Sequence, residues 1–397
     1  MQQYDEVFPP TTVFIIGGGI GGLAAALALN RGGHSVTLAE QAAEFGEVGA
    51  GLQLGPNATR ILRDWGLLDA VESEGVVVDT LVARDALDGR VLTSMPVAGS
   101  FVEHYRAPYV VIHRTDLHRI LLAACRAAGI VLLTGTRISA VEPATDGATV
   151  IAEDGRRQSY PVVIGAEGLR SASRDAIVGD APVPSGYVAY RGTIPLETAS
   201  TSNDVTVWMG PGCHLVQYPL RNGTLLNNVL VFRSPGFERG EEDYGGAGEL
   251  EAAFGGCAEP VRRALAHVGR QRRWPLYDRA PASTWSSGRL VLTGDAAHPM
   301  LQYLAQGACQ ALEDADALGR LAGAHARTDW DRVVEGFVAE REPRATRVQT
   351  TAHAFGALCH AAGEQRAVRN ELLAAREIDD FSVADWLYAA RAAAVTP

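Results

Sequence analysis

Three groups of residues in this sequence have the types and spacing that chemistry requires. Gly17, Gly19 and Gly22 satisfy the pattern GxGxxG in the run GGGIGG, between an apolar β-branched stretch and an Ala/Leu-rich one. In that setting Gly17 permits a tight turn, Gly19 lets the backbone approach a pyrophosphate, and Gly22 lets helix and strand pack closely. Amides at the helix start would present positive partial charge to the phosphates. Glu40 lies 18 residues past Gly22, at the end of the next apolar run, and suits the hydroxyls of a ribose. This fingerprint serves NAD and FAD alike, so it predicts a dinucleotide and not a reaction.

The second group is GDAAHP at residues 294–299, which follows an apolar stretch and precedes a helical one. Asp295 can accept hydrogen bonds from a polyol. Amides near Gln306 and Gly307 can aim the positive end of a helix at a ring carrying negative charge, which in a reduced flavin sits near N1 and C2. His298, beside Pro299, is read as structural, fixing a turn whose carbonyls face a pocket. The third group is His214, Val216 and Tyr218, which period-two alternation places on one face of a strand. An imidazole with an unperturbed pKa near ~6.5 suits removal of a phenolic proton at neutral pH. Gln302, just past the His-Pro turn, could orient a hydroxyl by donating or accepting. Plainer readings stay open here: a solvated strand-end charge for Glu40, a helix cap for Asp295, a satisfied sheet histidine for His214 and an exposed loop glutamine for Gln302.

The elements that must position these groups follow from hydrophobic periodicity. Residues 12–16 predict a strand, 23–29 a helix and 34–40 a second strand. Residues 107–113, 116–128 and 130–133 repeat the strand, helix, strand order, and this alternation predicts a parallel α/β sheet. Two more strands, at 162–165 and 290–293, come from far along the chain, so the sheet is assembled from distant pieces. Residues 182–270 are β-rich with Pro and Gly turns and predict a mainly antiparallel second domain. After Gly307 the chain becomes Ala-rich and helical, with Ala308, Ala311, Leu312, Ala315, Leu318 and Leu321 at helical spacing. The expected division is a discontinuous nucleotide-binding domain (1–75, 100–180 and 275–330), a β domain (76–99 and 181–274) and a helical region (331–397).

Composition narrows the function classes. The 397 residues are 47% hydrophobic and 20% charged, which fits a chain that folds by burying apolar surface. A net charge of −11, with no basic run interleaved with aromatics, argues against a nucleic-acid partner. Cys125, Cys213, Cys257, Cys309 and Cys359 show no metal-ligand spacing, predicting a reducing compartment and no metal site. Asp5, Glu6, Pro9 and Pro10 stand where a signal peptide would be basic and apolar, and no apolar run nears the ~20 residues of a membrane span. A cytoplasmic protein without a membrane span is expected.

With both glycine turns in hand, the chain resembles the single-component FAD-dependent aromatic hydroxylases (group A flavoprotein monooxygenases) over nearly its full length. The GxGxxG opening, GAEGLRSASR at 165–174 and GDAAHPMLQYLAQGACQALED at 294–314 carry the resemblance. Within that family it is similar to 3-hydroxybenzoate 6-hydroxylases through LQYL at 301–304, RNEL at 369–372 and DWL at 385–387. Salicylate and 6-hydroxynicotinate hydroxylases are near neighbours.

The resemblance implies a Rossmann-like FAD-binding domain interleaved with an antiparallel substrate domain and followed by helices. It implies FAD, NADH with NADPH left open, O2 and a small aromatic acid, with 3-hydroxybenzoate converted to gentisate. In that family, hydride reduces FAD and O2 then adds at C4a to give the hydroxylating hydroperoxide, which is what the resemblance implies here. Arg114, in HRTDL at 113–117, is assigned to the flavin side chain or pyrophosphate. Glu167 and Gly168 stand where the family usually has Asp-Gly, a position that touches the pyrophosphate and the nicotinamide. The strand of His214, Val216 and Tyr218 falls at the pocket over the flavin, with Pro299 at its rim and Gln302 paired with His214. A second GxGxxG is not needed, because this family docks the nicotinamide only transiently. The helical tail offers a surface for a homodimer. Alternatives are salicylate 1-hydroxylation with decarboxylation, 6-hydroxynicotinate 3-monooxygenation and, in another class, a flavin-binding redox protein that hydroxylates nothing. The Trp-x-Trp-x-Ile-Pro signature of flavin halogenases is missing.

Overall fold

The strand Val13–Ile16 is buried on both faces and runs directly into the glycine turn, after which the helix Ile20–Arg31 begins with Gly19 as its cap. These features come from a computed structural model that describes residues 13–46, 49–196, 202–326 and 328–389; Asp5, Glu6, Pro9, Pro10 and Thr12 lie outside them. The strand is central in a six-stranded sheet ordered Ser286–Ser287, Leu290–Leu292, Val163–Gly165, Val13–Ile16, Val36–Ala39, Val131–Leu133. All pairings are parallel except the short Ser286–Ser287 edge. Register places Ile16 level with Ala39 and Gly165, and Gly165 level with Leu292. The carboxyl ends of four strands therefore meet at one edge and deliver Gly17, Glu40, Glu167 and Gly294 there, where open α/β sheets bind ligands.

The helix Gly307–Ala324 packs on Ile20–Arg31 through small buried residues, among them Ala24, Ala25, Ala28, Ala315 and Ala322. On the opposite side of the sheet, the three antiparallel strands Ile138–Ala144, Gly147–Ala152 and Arg157–Tyr160 cover Phe14, Ile16, Val163 and Leu290.

One expectation needs correction. Val110–His113 is a strand, but it does not join the parallel sheet; it pairs antiparallel with Gly51–Leu54 and Val76–Val77. Val110 and Ile112 face the core of the nucleotide-binding sheet, while Val111 faces a second apolar cluster with Val76, Val78 and Tyr218. A strand buried on both faces shows no alternation, so its run of apolar residues looks the same in either kind of sheet.

The second large sheet is ordered Trp274–Asp278, Val183–Pro195, Leu225–Arg233, Cys213–Leu220, Val205–Gly210, Thr80–Asp85, Val91–Pro96. It is antiparallel apart from the pairing of Val205–Gly210 with Thr80–Asp85. On one face, Val188, Tyr190, Leu215, Leu230 and Phe232 pack with residues of the helices Ala247–Phe254 and Glu259–Ala264. The described residues then finish with helices Gly307–Ala324, Trp330–Cys359, Gly363–Ala374 and Ser382–Tyr388. The mixed α/β class with C-terminal helices is the one anticipated. Among the described residues no helix is long and apolar enough to cross a membrane.

Candidate active site

A single cavity of about 1360 Å³ joins the edge of the parallel sheet to the free face of the antiparallel one. Sites for one small molecule usually span ~300–1,000 Å³, so this volume has room for an extended cofactor and a separate ring. The parallel-sheet edge contributes Gly17, Gly19, Glu40, Glu167 and Gly168 to its lining, the helix after Val110–His113 adds Arg114, and the second turn adds Asp295, Gln306 and Gly307. His214, Val216, Tyr218 and Gln302 line it as well.

The glycine turn leaves no room for side chains. Gly17 has φ +107°, and a Cβ there would sit 2.4 Å from the Ala166 carbonyl oxygen; one on Gly22 would sit 1.9 Å from the Gly17 oxygen. Glu40 clamps the same turn, its carboxylate accepting from the Gly18 amide at 2.7 Å and the Ala42 amide at 2.8 Å. Each carboxylate oxygen keeps a further lone pair for a sugar hydroxyl. Gly22 is thus a packing residue, as strand and helix demand, while Arg114 opens the helix Arg114–Ala127 with its amide on the Ala50 oxygen at 3.0 Å.

Asp295 is exposed in the turn Gly294–Ala296, and a Cβ on Gly307 would lie 3.8 Å from its Oδ1, so the turn and the start of Gly307–Ala324 are adjacent. Ala305 bends the chain into that helix with φ +53°, a conformation sparsely populated for any residue but glycine. The Gln306 side chain is buried and accepts through Oε1 from Asn57 Nδ2 (2.9 Å) and Gln310 Nε2 (3.2 Å), which leaves its backbone for the cavity. Glu167 is similarly engaged. Its carboxylate accepts from Ser171 Oγ (2.8 Å), Ser173 N (3.0 Å) and Ser173 Oγ (2.7 Å), folding back on the start of helix Ala172–Ile177. Burial raises its pKa, and the two serines oppose that rise. Two helix starts, a turn that one methyl group would fill, and carboxylates at both strand ends fit a dinucleotide that carries a flavin.

Asp314 fastens the second turn. Its Oδ2 accepts from Thr293 Oγ1 (3.1 Å), the Gly294 amide (2.8 Å) and His298 Nε2 (2.6 Å), and its Oδ1 accepts from Arg341 Nε (2.8 Å). Although burial works against ionisation, His298 and Arg341 hold its carboxyl well below the usual range. His298 is thereby tied into the scaffold. Pro299 does not line the cavity: its carbonyl accepts from Gln349 Nε2 at 2.8 Å, so the turn's oxygen is held by helix Trp330–Cys359, and Met300 lines the cavity next to it.

At the antiparallel sheet, His214, Val216 and Tyr218 share the cavity face, as strand period requires. The buried imidazole of His214 lies with Nδ1 2.7 Å from Nε2 of His360, their rings stacked at 5.0 Å, and Tyr303 sits 5.5 Å away. Burial, with His360 beside it, pushes the His214 pKa well below its ordinary value, and burial takes His360 down to about 4. The Tyr218 phenol is pushed up by burial, against the pull of Arg191. Gln302 occupies the short turn Gln302–Leu304, and its Oε1 accepts from Arg191 Nη2 at 2.9 Å. With the oxygen engaged, Gln302 presents its amide N–H groups as donors. Sequence reasoning missed His360, Arg191 and Asp314. A charged residue inside the strand run YVAYRGTIP is a signal that could have found Arg191; for His360, 146 positions from its partner, no local pattern exists.

The family model described as FAD binding domain matches residues 10–352. A 3-hydroxybenzoate 6-hydroxylase of Polaromonas naphthalenivorans (strain CJ2) is 39% identical over 381 residues, covering 95% of each chain. A second, from Klebsiella oxytoca, is 37% identical over 383 residues, covering 94% of this chain and 95% of that one. The crystal structure of Klebsiella pneumoniae HpxO complexed with FAD and uric acid superposes with a TM-score of 0.81 at 26% identity, covering 92% of both chains. With the glycine cradle, the second turn and these matches in agreement along nearly its whole length, the chain belongs to the FAD-binding family of flavoprotein hydroxylases.

Proposed function

We propose that this protein hydroxylates 3-hydroxybenzoate para to its hydroxyl group, giving gentisate, with FAD in the cavity and NADH as reductant. The observation that carries the reading is that His214 and Gln302, from separate elements, converge on the same cavity as the glycine turn. Similarity to 3-hydroxybenzoate 6-hydroxylases over 95% of the chain supports the choice of ring. Bound FAD would supply hydride acceptance and activation of O2, chemistry that side chains lack.

The chain's own residues supply position and proton control. Amides at the start of Ile20–Arg31 hold the pyrophosphate, Glu40 the ribose and Asp295 the polyol, while amides at Gln306 and Gly307 face the ring system. His214 is neutral at pH 7, because burial disfavours its charged form. Its Nδ1 stays with His360, so Nε2 is the atom that exchanges a proton with the substrate hydroxyl. Gln302 donates to the same oxygen through its amide, which favours the deprotonated phenol. A phenol that sheds its proton becomes richer in electrons at the para carbon. Val216 and Tyr218 keep the ring dry and in plane with that contact.

Purified protein offered NADH and the three hydroxybenzoate isomers should give gentisate from the 3-isomer, identified by chromatography. Catechol and CO2 from the 2-isomer would replace this reading with salicylate hydroxylation, and NADH oxidation indifferent to any ring would replace it with a simple redox protein. His214→Ala should slow hydroxylation by ~10²–10⁴-fold, the usual worth of positioned proton transfer, while bound FAD is retained.

A further inference from the structure

The four most deeply buried arginines among the described residues, Arg174, Arg279, Arg341 and Arg369, are each matched by a carboxylate. Arg174 and Arg279 share Asp180, each at 2.7 Å; Arg341 pairs with Glu313 (2.6 Å) and Asp314 (2.8 Å); Arg369 pairs with Asp85 at 3.3 Å. Arg191 differs. It lies on Val183–Pro195 with its side chain in the cavity, and its one hydrogen-bond partner among the described residues is the neutral amide oxygen of Gln302. Its Nε is buried with no partner, and the Trp274 ring lies 5.8 Å from its guanidinium carbon. A guanidinium cannot shed its proton, so a buried one that lacks an anion calls for one from outside.

From this we infer that Arg191 is the anchor for the carboxylate of the substrate, and that it sets the acid specificity of the cavity. The inference rests on the function proposed above for the nature of the ring, and it adds which group recognises the charge. Sheet register supports the geometry. Arg191 pairs with Val229, and Val229 with Val216, so all three stand in one row across the cavity face, with His214 one residue pair along from Val216. Strand spacing then separates the Arg191 and His214 α-carbons by roughly 12 Å. Two side chains reaching inward from that separation can straddle a benzene ring, one holding a carboxylate and the other a hydroxyl. Arg191 also fixes the amide of Gln302, so charge recognition and hydroxyl orientation share one residue. The fork of a guanidinium suits a carboxylate in two parallel hydrogen bonds.

The test compares binding of 3-hydroxybenzoate and uncharged 3-hydroxybenzamide to the FAD-loaded enzyme, read as the change in flavin absorbance. The native enzyme should prefer the carboxylate, and Arg191→Gln should weaken it by roughly 30-fold or more. The same variant should weaken the amide much less, through the loosened Gln302 alone, so the preference collapses, with FAD content unchanged. Arg191→Lys keeps the charge without the fork and should fall between; it also serves if the glutamine variant folds poorly. An acid preference that survives in Arg191→Gln, or equal loss of both ligands, would overturn the assignment. Because binding and not turnover is read, this outcome is separate from whether gentisate is the product.

Discussion

At the scale of single residues, the His214–His360 pair links the proton transfer proposed for His214 to acid sensitivity. Two imidazoles with one hydrogen bond between them share a single proton at that contact, so protonating either one places a charge among Tyr187, Tyr303 and buried apolar groups. In the unfolded chain His360 takes a proton near pH 6.5, whereas the folded protein admits one only near pH 4. Between those values the unfolded state binds more protons. Stability is therefore full above pH 6.5 and declines as pH falls toward 4, by up to about 3 kcal/mol. Asp85, held down to about 2 by Arg366 and Asn370 against its own burial, loses its contribution only below this window, so the two effects separate. Urea midpoints measured from pH 7 to pH 4 should fall in the native protein and fall less in His360→Gln, whose amide can still meet His214. Equal slopes would place the titrating group elsewhere.

At the scale of elements, two turns at the ends of parallel strands line the cavity as its proposed cofactor cradle, and they differ in how they are stabilised. The first depends on absent side chains: Gly22→Ala puts a methyl group 1.9 Å from the Gly17 oxygen, so the helix must move off the strand. Such a variant should purify without yellow colour and take up little added FAD, and normal uptake would show that the helix start is not the phosphate cradle. The second depends on a buried charge: Asp314→Ala removes four hydrogen bonds and leaves His298 without its partner. Breaking a buried ionic contact of this kind costs about 3–5 kcal/mol, measurable by urea unfolding. The contrast also explains what the sequence revealed. Gly17, Gly22, Glu40 and Asp295 are legible because each sits beside the strand that positions it, and strand period alone puts His214, Val216 and Tyr218 on one face. Asp314, Arg191 and His360 act on partners 16 to 146 positions away, and no local period records such pairings. Pro299 and Glu167 show the converse: their positions beside a motif are legible, but the direction taken by a carbonyl or a longer carboxylate arm depends on neighbours that fold in later.

At the scale of the molecule, the last described helix closes a cavity that the first strand opens. Val383, Leu387 and Tyr388 line the cavity from Ser382–Tyr388, although the glycine turn lies more than 350 residues earlier. That helix is fastened at its carboxyl end, where Arg344 donates to the Trp386 and Leu387 oxygens at 2.6 and 2.7 Å, and Arg60 donates to the Tyr388 oxygen at 2.7 Å. Cations at the end of a helix satisfy carbonyls that have no partner within it. The Tyr388 ring packs edge-on against Phe101, Tyr105 and Tyr109, so it joins the second apolar core to the cavity wall. Tyr388→Ala should accordingly act twice. Loss of a buried aromatic ring should cost roughly 3–5 kcal/mol in urea unfolding. The gap it leaves admits water into the cavity, and a wet site releases reduced oxygen as hydrogen peroxide before it reaches the substrate. The ratio of gentisate formed to NADH consumed should therefore drop, with peroxide making up the difference, even in the fraction that remains folded. A variant that loses stability while the ratio holds would assign Tyr388 to the core alone and place the water seal on other walls of the cavity.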